Sequence, residues 1–383
     1  MEWVSMAGKK PIKSWCANVE DSAMKQALDL ARHPKLFKHV AMMGDAHCGY
    51  GMMIGGVVAL NGAVSPSMVG YDIGCGMQFI TFHGVDASSV NAAQIELILR
   101  EIARGVPHGM GKYKNGRCRL LNEAPESVAV AADLGVAAIS LGTLGGGNHF
   151  IELQENNDGF LCAMVHSGSR KLGQEICKYY DAKALELNRL YAADIPNKDL
   201  AFLPIGATEA YDYIEAMQYA LTYARDNRNL IMDEVIRAVA HVLGYDIGSN
   251  ESLDVHHNYA AIENHFGKNV WVHRKGATSA REDELGIIPG SSGTASYIVK
   301  GLGNADSFCS CSHGAGRTMS RSAAKKTLDK DGAKILMGDV VTLKEVPLDE
   351  SPEAYKDIES VMKSQEDLVT IVQTLTPLGN IKG

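Results

Sequence analysis

A long helical pattern between Glu209 and Gly244 constrains the fold more than any other feature of this sequence. Apolar residues recur there at spacings that place them on one face of a helix. These residues are Ile214, Met217, Leu221, Ala224, Ile231, Val235 and Val242. We therefore predict a helical segment over about residues 205–245.

The rest of the chain mixes short strand patterns with two further helical ones. Apolar runs bounded by turn residues predict strands over 54–60, 77–85, 149–154, 161–166 and 270–276. A helix is predicted in the segment 181–196, where it ends before Pro196, and another, with an interruption, over 351–375. Because strands and helices do not alternate regularly, we expect an α+β (layered mixed α/β) fold with a β-rich core and peripheral helices. Without an internal repeat or an obvious linker, residues 1–383 are predicted to form a single domain.

The overall composition excludes several classes of protein. With 46% hydrophobic and 21% charged residues, the 383-residue chain has enough apolar residues for a large core and is not disordered. A formal net charge of −8 argues against a generally basic coat, so any nucleic-acid site is expected to be local. Eight cysteines without a secretory signal favour reduced thiols in a cytoplasmic protein. The uncharged stretch 46–71 contains too many turn residues for a membrane-spanning helix.

Side chains able to bind a metal are concentrated in glycine-rich patches. The patches are GDAHCGYG (Asp45, His47, Cys48), GYDIGCGM (Asp72, Cys75), GTLGGGNHFIE (Asn148, His149, Glu152), VHSGSR (His166, Arg170), DVHHNYAA (Asp254, His256, His257, Asn258) and CSCSHGAGR (His313). Glycines let a backbone turn sharply and present its N–H groups to an anion, which suits a phosphate-handling site. The recurrence of a ligand beside small residues, and the close spacing of Asp72 and Cys75, indicate one or two metal sites.

Simpler interpretations exist for individual motifs. Glycine runs are also typical of tight strand turns, and His241 in the long helix is assigned no role. Cys309 and Cys311 beside His313 leave a zinc site as an alternative, although no second closely spaced pair completes four ligands. Neither a Walker A motif nor the dinucleotide-binding GxGxxG pattern occurs, so neither of those nucleotide sites is expected.

Several longer motifs together resemble the RNA ligase RtcB family. They are VGYDIGCGM, GTLGGGNHFIE, HSGSR, HHNY, RKGATSAREDELGIIPGSSGTAS, GLGNADSFCSCSHGAGRTMSR and the terminal IKG, in the family's order over nearly the whole chain. Members of that family join an RNA 3′-phosphate or 2′,3′-cyclic phosphate to a 5′-hydroxyl, using GTP and Mn²⁺. The resemblance implies the same reaction, in RNA repair or tRNA splicing, with GTP and such RNA ends as partners and no membrane.

The resemblance also implies a role for the HGAGR loop. Its histidine, His313, would attack the α-phosphate of GTP and carry the guanylate through a phosphoramidate bond, a role that suits neutral imidazole. Arg317 and Arg321, together with Arg170, match arginines that contact RNA or phosphate, whose planar guanidinium groups pair well with phosphate.

Five positions match the ligands of the two manganese ions in the family. Cys75 matches the thiolate that bridges both ions. His149 and His166 match ligands of one ion, and Asp72 and His257 match those of the other. The residue types alone would also suit zinc or iron, so manganese rests on the resemblance.

Further positions match contacts to the nucleotide. Glu152 corresponds to a carboxylate that accepts hydrogen bonds from the guanine edge, where adenine offers no matching pair of donors. The others are Asn148, Phe150, Asn258, Ser291, Ser296, Ala315, Gly316, Tyr355 and Lys382, besides His313 itself.

Two departures from the family pattern concern the rim of the site. Gly44 replaces the usual proline in the segment 43–47, and the segment 107–141 is short. Because rim loops often set substrate choice, a repair paralogue and a tRNA-splicing enzyme both stay open, as does the need for an accessory protein. A metal-dependent phosphoesterase acting on RNA ends and a catalytically silent RNA-binding relative are the alternative functions.

Overall fold

The structure, a computed structural model, describes residues 1–116, 123–244 and 252–383. Its helices are α1 (Asp21–Ala31), α2 (Pro66–Val69), α3 (Ala92–Gly105), α4 (Glu126–Ala129), α5 (Leu134–Ser140), α6 (Arg170–Leu190), α7 (Thr208–Leu243), α8 (Arg321–Thr327), α9 (Lys330–Met337) and α10 (Ile358–Ser364). Short 3₁₀ turns occupy Ala87–Ser89, Lys198–Leu200, Ala305–Ser307, Leu348–Glu350 and Pro352–Ala354.

The strands build two large sheets and two small ones. They are β1 (Trp3–Ser5), β2 (Ile12–Ser14), β3 (Leu36–His47), β4 (Ile54–Leu60), β5 (Ala63–Val64), β6 (Gly76–Asp86), β7 (Phe150–Asn156), β8 (Phe160–Ser167), β9 (Leu203–Pro204), β10 (Ser252–His256), β11 (Asn258–His265), β12 (Lys268–Lys275), β13 (Ala277–Ser279), β14 (Leu285–Ile288), β15 (Ser296–Gly301), β16 (Ser310–Ser312), β17 (Val341–Thr342) and β18 (Val369–Lys382). The first sheet has the strand order β1-β2-β3-β4-β12-β11. The second has the order β10-β6-β8-β7-β18-β15-β14, with β17 beside β18.

Helix α7 covers the second sheet, as its apolar pattern requires. Ile231 and Val235 belong to one buried cluster with Ile80 of β6 and Ile151 of β7. The amino-terminal half of α7 packs against α6 in a separate cluster. The helix ends at Gly244, whose left-handed φ of 67° is a common way to terminate a helix.

The two large sheets meet in a shared apolar layer. Val57 and Val272 of the first sheet belong to one buried cluster with Ile288 and Val299 of the second. The chain crosses directly between the sheets at His257, because β10 lies in the second sheet and β11 in the first. This crossing places a histidine at the junction of the two sheets.

The predicted α+β class is confirmed, with most of the predicted elements. Helix α7 matches the predicted segment 205–245, of which residue 245 lies outside the described residues. The predicted strands correspond to β4, β6, β7, β8 and β12. The short segment 107–141 includes residues 117–122, which also lie outside the described residues. Within the described part of the chain, none of the helices is long and apolar enough to cross a membrane.

Two predicted helices have different bounds from those expected. The helix predicted over 181–196 is the second half of α6, which begins at Arg170 and ends at Leu190. The helix predicted over 351–375 is wrong in its second half, because only Ile358–Ser364 is helical and Val369 begins β18. That strand lies between β15 and β7, and pairing on both sides decides its conformation.

Candidate active site and metal centre

The predicted metal ligands come together beside the second sheet. Most of them lie in three segments that border its strands, and the last lies where the chain crosses to the first sheet. Asp72 and Cys75 lie in the turn between α2 and β6, where the Cys75 N–H donates to the Asp72 carbonyl (3.0 Å). His149 directly precedes β7, and His166 lies on the neighbouring β8. His257 links β10 to β11.

The ligand atoms converge on the sulfur of Cys75. Its Sγ lies 3.4 Å from Nε2 of His149 and 3.3 Å from Nε2 of His166. Asp72 Oδ2 is 3.0 Å from His149 Nε2, and His166 Nε2 is 3.4 Å from His257 Nε2. In the described parts of the chain, the ligand atoms of Cys75, His149 and His166 all lie within 4.8 Å of one another. The structure therefore brings all five predicted ligands into one cluster.

The hydrogen bonds of the rings leave ligand electron pairs facing one another. His166 Nδ1 lies 3.1 Å from the Asn148 carbonyl oxygen, so we assign the ring hydrogen to Nδ1 and a lone pair to Nε2. That lone pair faces the Cys75 sulfur and Nε2 of His257. Among the described residues, Nδ1 of the buried His257 has no hydrogen-bond partner. A cation between these atoms would replace repulsion by coordination, so the donor set fits a metal ion that accepts thiolate, imidazole and carboxylate.

Burial sets the protonation of this cluster. It raises the pKa of the Cys75 thiol well above its usual value, and the adjacent Asp72 carboxylate adds to the effect. Burial also lowers the pKa of His166 and His257, so both rings are neutral near pH 7. For Asp72, burial opposes ionisation, but the hydrogen bond and charge of His149 outweigh it and lower the pKa. A metal ion would therefore meet the neutral imidazoles of His166 and His257, the carboxylate of Asp72 and a thiol that must lose its proton.

His313 follows β16 and stands beside this cluster. The centroid of its ring is 4.7 Å from that of His257. Its Nδ1 and its backbone N–H both bond to Oδ2 of Asp45, at 2.6 and 3.1 Å. Because Nδ1 donates to the carboxylate, Nε2 keeps the lone pair that a nucleophile needs.

Asp45 is fully buried on β3, and its carboxylate bonds to His313 while its carbonyl oxygen bonds to His47 (2.9 Å). Burial opposes ionisation of Asp45, but the charge and hydrogen bond of His313 outweigh it and lower the pKa of the carboxyl. Gly316 has a φ of +74°, and a Cβ there would come within 2.3 Å of the Asp45 carbonyl oxygen. The loop after His313 therefore needs glycine to pass this close to β3.

A cavity of about 210 Å³ opens beside His313. It is lined by eight of the predicted nucleotide contacts and two of the predicted arginines, namely Asn148, Phe150, Ser291, His313, Ala315, Gly316, Tyr355, Lys382, Arg317 and Arg321. His47, which the sequence placed in a candidate ligand patch, lines the same cavity. The cavity therefore joins the side chain proposed as nucleophile to groups that suit an anionic ligand.

Asn258 and Ser296, also predicted as nucleotide contacts, do not line this cavity. Asn258 donates to the Asp72 carbonyl (3.1 Å) and accepts from the Gly276 N–H (2.8 Å). It therefore stabilises the turn that contains Asp72 and Cys75. The Ser296 hydroxyl accepts from the Gly290 N–H (3.1 Å) and holds the loop at the rim of the cavity. Both side chains support the backbone of the site.

Glu152 lies behind the cavity. It is 3% exposed and shares one face of β7 with Phe150, which lines the cavity. Its carboxylate accepts from Gln154 Nε2 (2.7 Å). Burial raises the pKa of Glu152 to about 7, although the charge of Lys382 opposes this. Lys382 Nζ itself lies 4.8 Å from the centre of the Phe150 ring.

The three predicted phosphate-binding arginines occupy two places. Arg170 lies behind the cluster of predicted metal ligands, with its Nη1 2.7 Å from Nδ1 of His149. Arg317 and Arg321 lie at the cavity, where Arg317 donates to the Asp349 carbonyl (2.7 Å) and Arg321 to the Asp349 carboxylate (3.1 Å). A phosphate group that enters the cavity would compete with this carboxylate for the guanidinium donors.

The remaining sequence candidates lie outside the cluster. In the described residues, Cys309 and Cys311 form no metal group with His313, so the zinc alternative has no geometric support. Cys48 is exposed, and His241 lies on the exposed side of α7. Asp254 and His256 bind Arg228, a residue that sequence reasoning left without a role.

Comparison with known proteins identifies the family. The chain matches the model described as tRNA-splicing ligase RtcB over residues 26–139 and 121–383. It therefore belongs to the RtcB family, which confirms the resemblance of its motifs.

Curated relatives match over almost their whole lengths. The RNA-splicing ligase RtcB of Escherichia coli K12 is 38% identical over 403 aligned residues, with 97% of each chain covered. The protein of the same name from Mycobacterium tuberculosis H37Rv is 30% identical, covering 94% of this chain and 100% of the relative. The tRNA-splicing ligase RtcB of Methanococcus maripaludis is 33% identical, covering 96% and 92%.

Cys75→Ser is expected to lower the number of metal ions bound per chain by up to two, because a serine hydroxyl is much harder to deprotonate than a thiol. Elemental analysis after equilibration with Mn²⁺ measures the effect. Cys177→Ser is the matched control, since this thiol is buried on α6 in a different cluster. An unchanged metal content in Cys75→Ser would show that the thiol is an ordinary packed residue.

Proposed function

We propose that this chain is an RNA ligase that joins an RNA 3′-phosphate or 2′,3′-cyclic phosphate end to a 5′-hydroxyl end, using GTP and two Mn²⁺ ions. One observation carries the proposal: His313 is oriented by Asp45, stands beside the metal cluster and opens on a cavity that contains arginines. The names of the relatives as RNA-splicing and tRNA-splicing ligases support RNA as the substrate. The seven cysteines in the described residues are all free, which supports a cytoplasmic location.

The first proposed step transfers GMP to His313. Nε2 attacks the α-phosphorus of GTP, a P–N bond forms, and the bond to pyrophosphate breaks. Asp45 holds the hydrogen on Nδ1 and stabilises the positive charge that the ring gains as the bond forms.

Two further transfers complete the reaction. The RNA 3′-phosphate attacks the guanylate, so the P–N bond breaks, RNA-3′-pp-guanosine forms and His313 is free again. A 2′,3′-cyclic end is first opened by water to a 3′-phosphate. The 5′-hydroxyl then attacks the RNA 3′-phosphorus, loses its proton to solvent and expels GMP as the phosphodiester forms. Arg317 and Arg321 would bind the phosphates during these steps, in place of the present ion pair of Arg317 with Glu350 and those of Arg321 with Asp349 and Glu350.

The five clustered residues would hold the metal ions. When bound, the ions supply Lewis-acid stabilisation of the charge on the phosphate oxygens. Once it has lost its proton, Cys75 would contribute a negative charge among the other ligands, which would offset part of the repulsion between two cations. His166 and His257 enter as neutral rings, since burial has already lowered their pKa values.

Glu152 is proposed to select guanine through its carboxylate. The guanine edge presents two N–H donors, and an ionised carboxylate has two oxygens to accept them. Adenine would leave the buried oxygens without partners, at a cost of about 1–3 kcal/mol. The position of Glu152 next to the cavity wall, two residues beyond Phe150, supports this role.

The affinity for GTP is expected to depend on pH through Glu152. Its pKa is raised to about 7, so the accepting carboxylate is the minor form at pH 6 and the major form at pH 8. GTP should therefore bind roughly tenfold more tightly at pH 8 than at pH 6. Glu152→Gln removes this dependence, and Glu155→Gln on the same strand is the control. The phosphates of GTP also titrate in this pH range, but they affect the affinity of both proteins equally. The ratio of the wild-type affinity to the Glu152→Gln affinity, measured by calorimetry at each pH, therefore isolates the effect of Glu152. A ratio that does not change with pH would exclude this role for Glu152.

His313→Ala is expected to abolish transfer of label from GTP labelled at the α-phosphate to the protein in the presence of Mn²⁺, because the attacking nitrogen is absent. The wild-type adduct should be labile in acid and stable in base, as a phosphoramidate is. His241→Ala, on the exposed side of α7, should label like the wild type.

The His313→Ala protein should still join an RNA whose 3′ end already carries guanylate, since its metal cluster is intact. Label on the alanine variant would contradict the assignment of the nucleophile. A wild-type protein that removes RNA 3′-phosphates but takes up no label would instead be a phosphoesterase.

A further inference from the structure

Arg228 is a fully buried arginine on α7, and every N–H of its guanidinium group has an acceptor. Nε and Nη2 each bond to one oxygen of the Asp254 carboxylate at 2.7 Å. Nη2 also donates to Nδ1 of His256 (3.1 Å). Nη1 donates to the carbonyls of Gly74 (2.9 Å) and Ser167 (3.0 Å). Because a guanidinium carries five N–H groups in one plane, this arrangement uses all of them.

Three of the four acceptor residues are direct neighbours in sequence of proposed metal ligands. Gly74 precedes Cys75, and Ser167 follows His166. The histidine acceptor directly precedes His257. One rigid group therefore ties together three ligand-bearing segments that come from different strands.

The surroundings of this guanidinium group leave little room for adjustment. A Cβ on Gly76 would lie 3.1 Å from Nη1 of Arg228 and 2.2 Å from the Val255 carbonyl oxygen. Asn227, the preceding residue on α7, donates to the Ser167 hydroxyl (2.9 Å), so the helix holds the same segment twice. Because α7 bonds directly to the segments beside the ligands, the position of this helix determines where those segments lie.

The charge of Arg228 is also compensated within the network. The Asp254 carboxylate forms a two-pronged pair with it, so the pair as a whole carries no net charge. No N–H group remains to bind a phosphate, since all five have acceptors within the protein. The contacts suit support of the ligands rather than binding of a substrate.

We infer that Arg228 is a positioning residue that fixes the spacing of Cys75, His166 and His257 and thereby sets the affinity for a pair of metal ions. The inference rests on the proposed metal-dependent function. Lysine in its place would keep the charge, but its ammonium group has three donors around one nitrogen and does not reproduce a planar fork that reaches four different groups.

The test compares Arg228→Lys with Arg225→Lys, an exposed arginine on the same helix. Mn²⁺ is titrated into the full-length proteins by calorimetry, at a temperature where circular dichroism shows the same fold for all. Arg228→Lys should bind Mn²⁺ at least about tenfold more weakly, the usual effect of removing a group that orients metal ligands. Electron paramagnetic resonance should also lose the magnetic coupling of two neighbouring Mn²⁺ ions. Arg225→Lys should match the wild type in both measurements.

Asp254→Asn is a second variant that weakens the same network while the arginine stays, and it decides the outcome if Arg228→Lys does not fold. It should reduce the affinity for Mn²⁺ in the same direction by a smaller factor. Wild-type affinity and coupling in folded Arg228→Lys, or in Asp254→Asn where the first variant does not fold, would overturn the inference. A wild-type protein that binds no Mn²⁺ would instead overturn the proposed metal site, so the two failures are distinguishable.

Discussion

The site depends on holding electron-rich groups close together where water does not reach them. The lone pair of His166 faces both the Cys75 sulfur and Nε2 of His257, at separations of 3.3 and 3.4 Å. Such groups repel one another unless a cation or a proton lies between them, so the surrounding structure must resist their separation. Arg228 bonds to the backbone carbonyls beside Cys75 and His166 and to the ring of His256 beside His257, and it comes from a helix that the core of the second sheet holds in place.

The proposed nucleophile is held by the first sheet, whereas the proposed metal ligands border the second. His313 itself follows β16 of a small sheet, and its ring bonds to Asp45. Asp45 lies on β3 of the first sheet, whereas Cys75, His149 and His166 border strands of the second. His257 lies at the crossing between the sheets and packs against the ring of His313. The apolar layer between the sheets therefore fixes the separation of the proposed nucleophile from the proposed metal ligands, and the proposed chemistry requires both sheets to be packed together.

The local sequence pattern was sufficient to predict those helices and strands whose apolar residues face the core at the spacing typical of that element. The helix α7 was predicted because one of its faces is continuously apolar, and β4, β6 and β8 because they are short apolar runs between turns. The helix predicted through Val369 was wrong although Val369, Thr370 and Ile371 are β-branched residues that favour strands, because the helical pattern of the preceding residues was extended through them. Pairing with β7 and β15 confirms the strand.

The residue types of the metal ligands could be predicted from the sequence, but the contacts that hold the site in place could not. The glycine-rich patches indicated a metal site, and the family resemblance assigned the individual ligands. Asp45 lay in one of these patches, yet only the structure shows that it binds His313. Arg228 falls on the apolar face of the helical pattern, four residues after Ala224 and three before Ile231, so its spacing alone separates it from the exposed Arg225. The groups that Arg228 binds could not be predicted from this spacing. Contacts between residues distant in sequence decide both roles.

Crystals grown with Mn²⁺ and GTP would test most directly whether two metal ions and a nucleophilic histidine share this site. Diffraction data collected at the manganese absorption edge locate each ion. We expect two anomalous peaks that share the Cys75 sulfur as a ligand, and continuous density from Nε2 of His313 to the α-phosphorus of the guanylate. A single peak, no peak at Cys75, or guanylate bound covalently to another residue would contradict the proposed site.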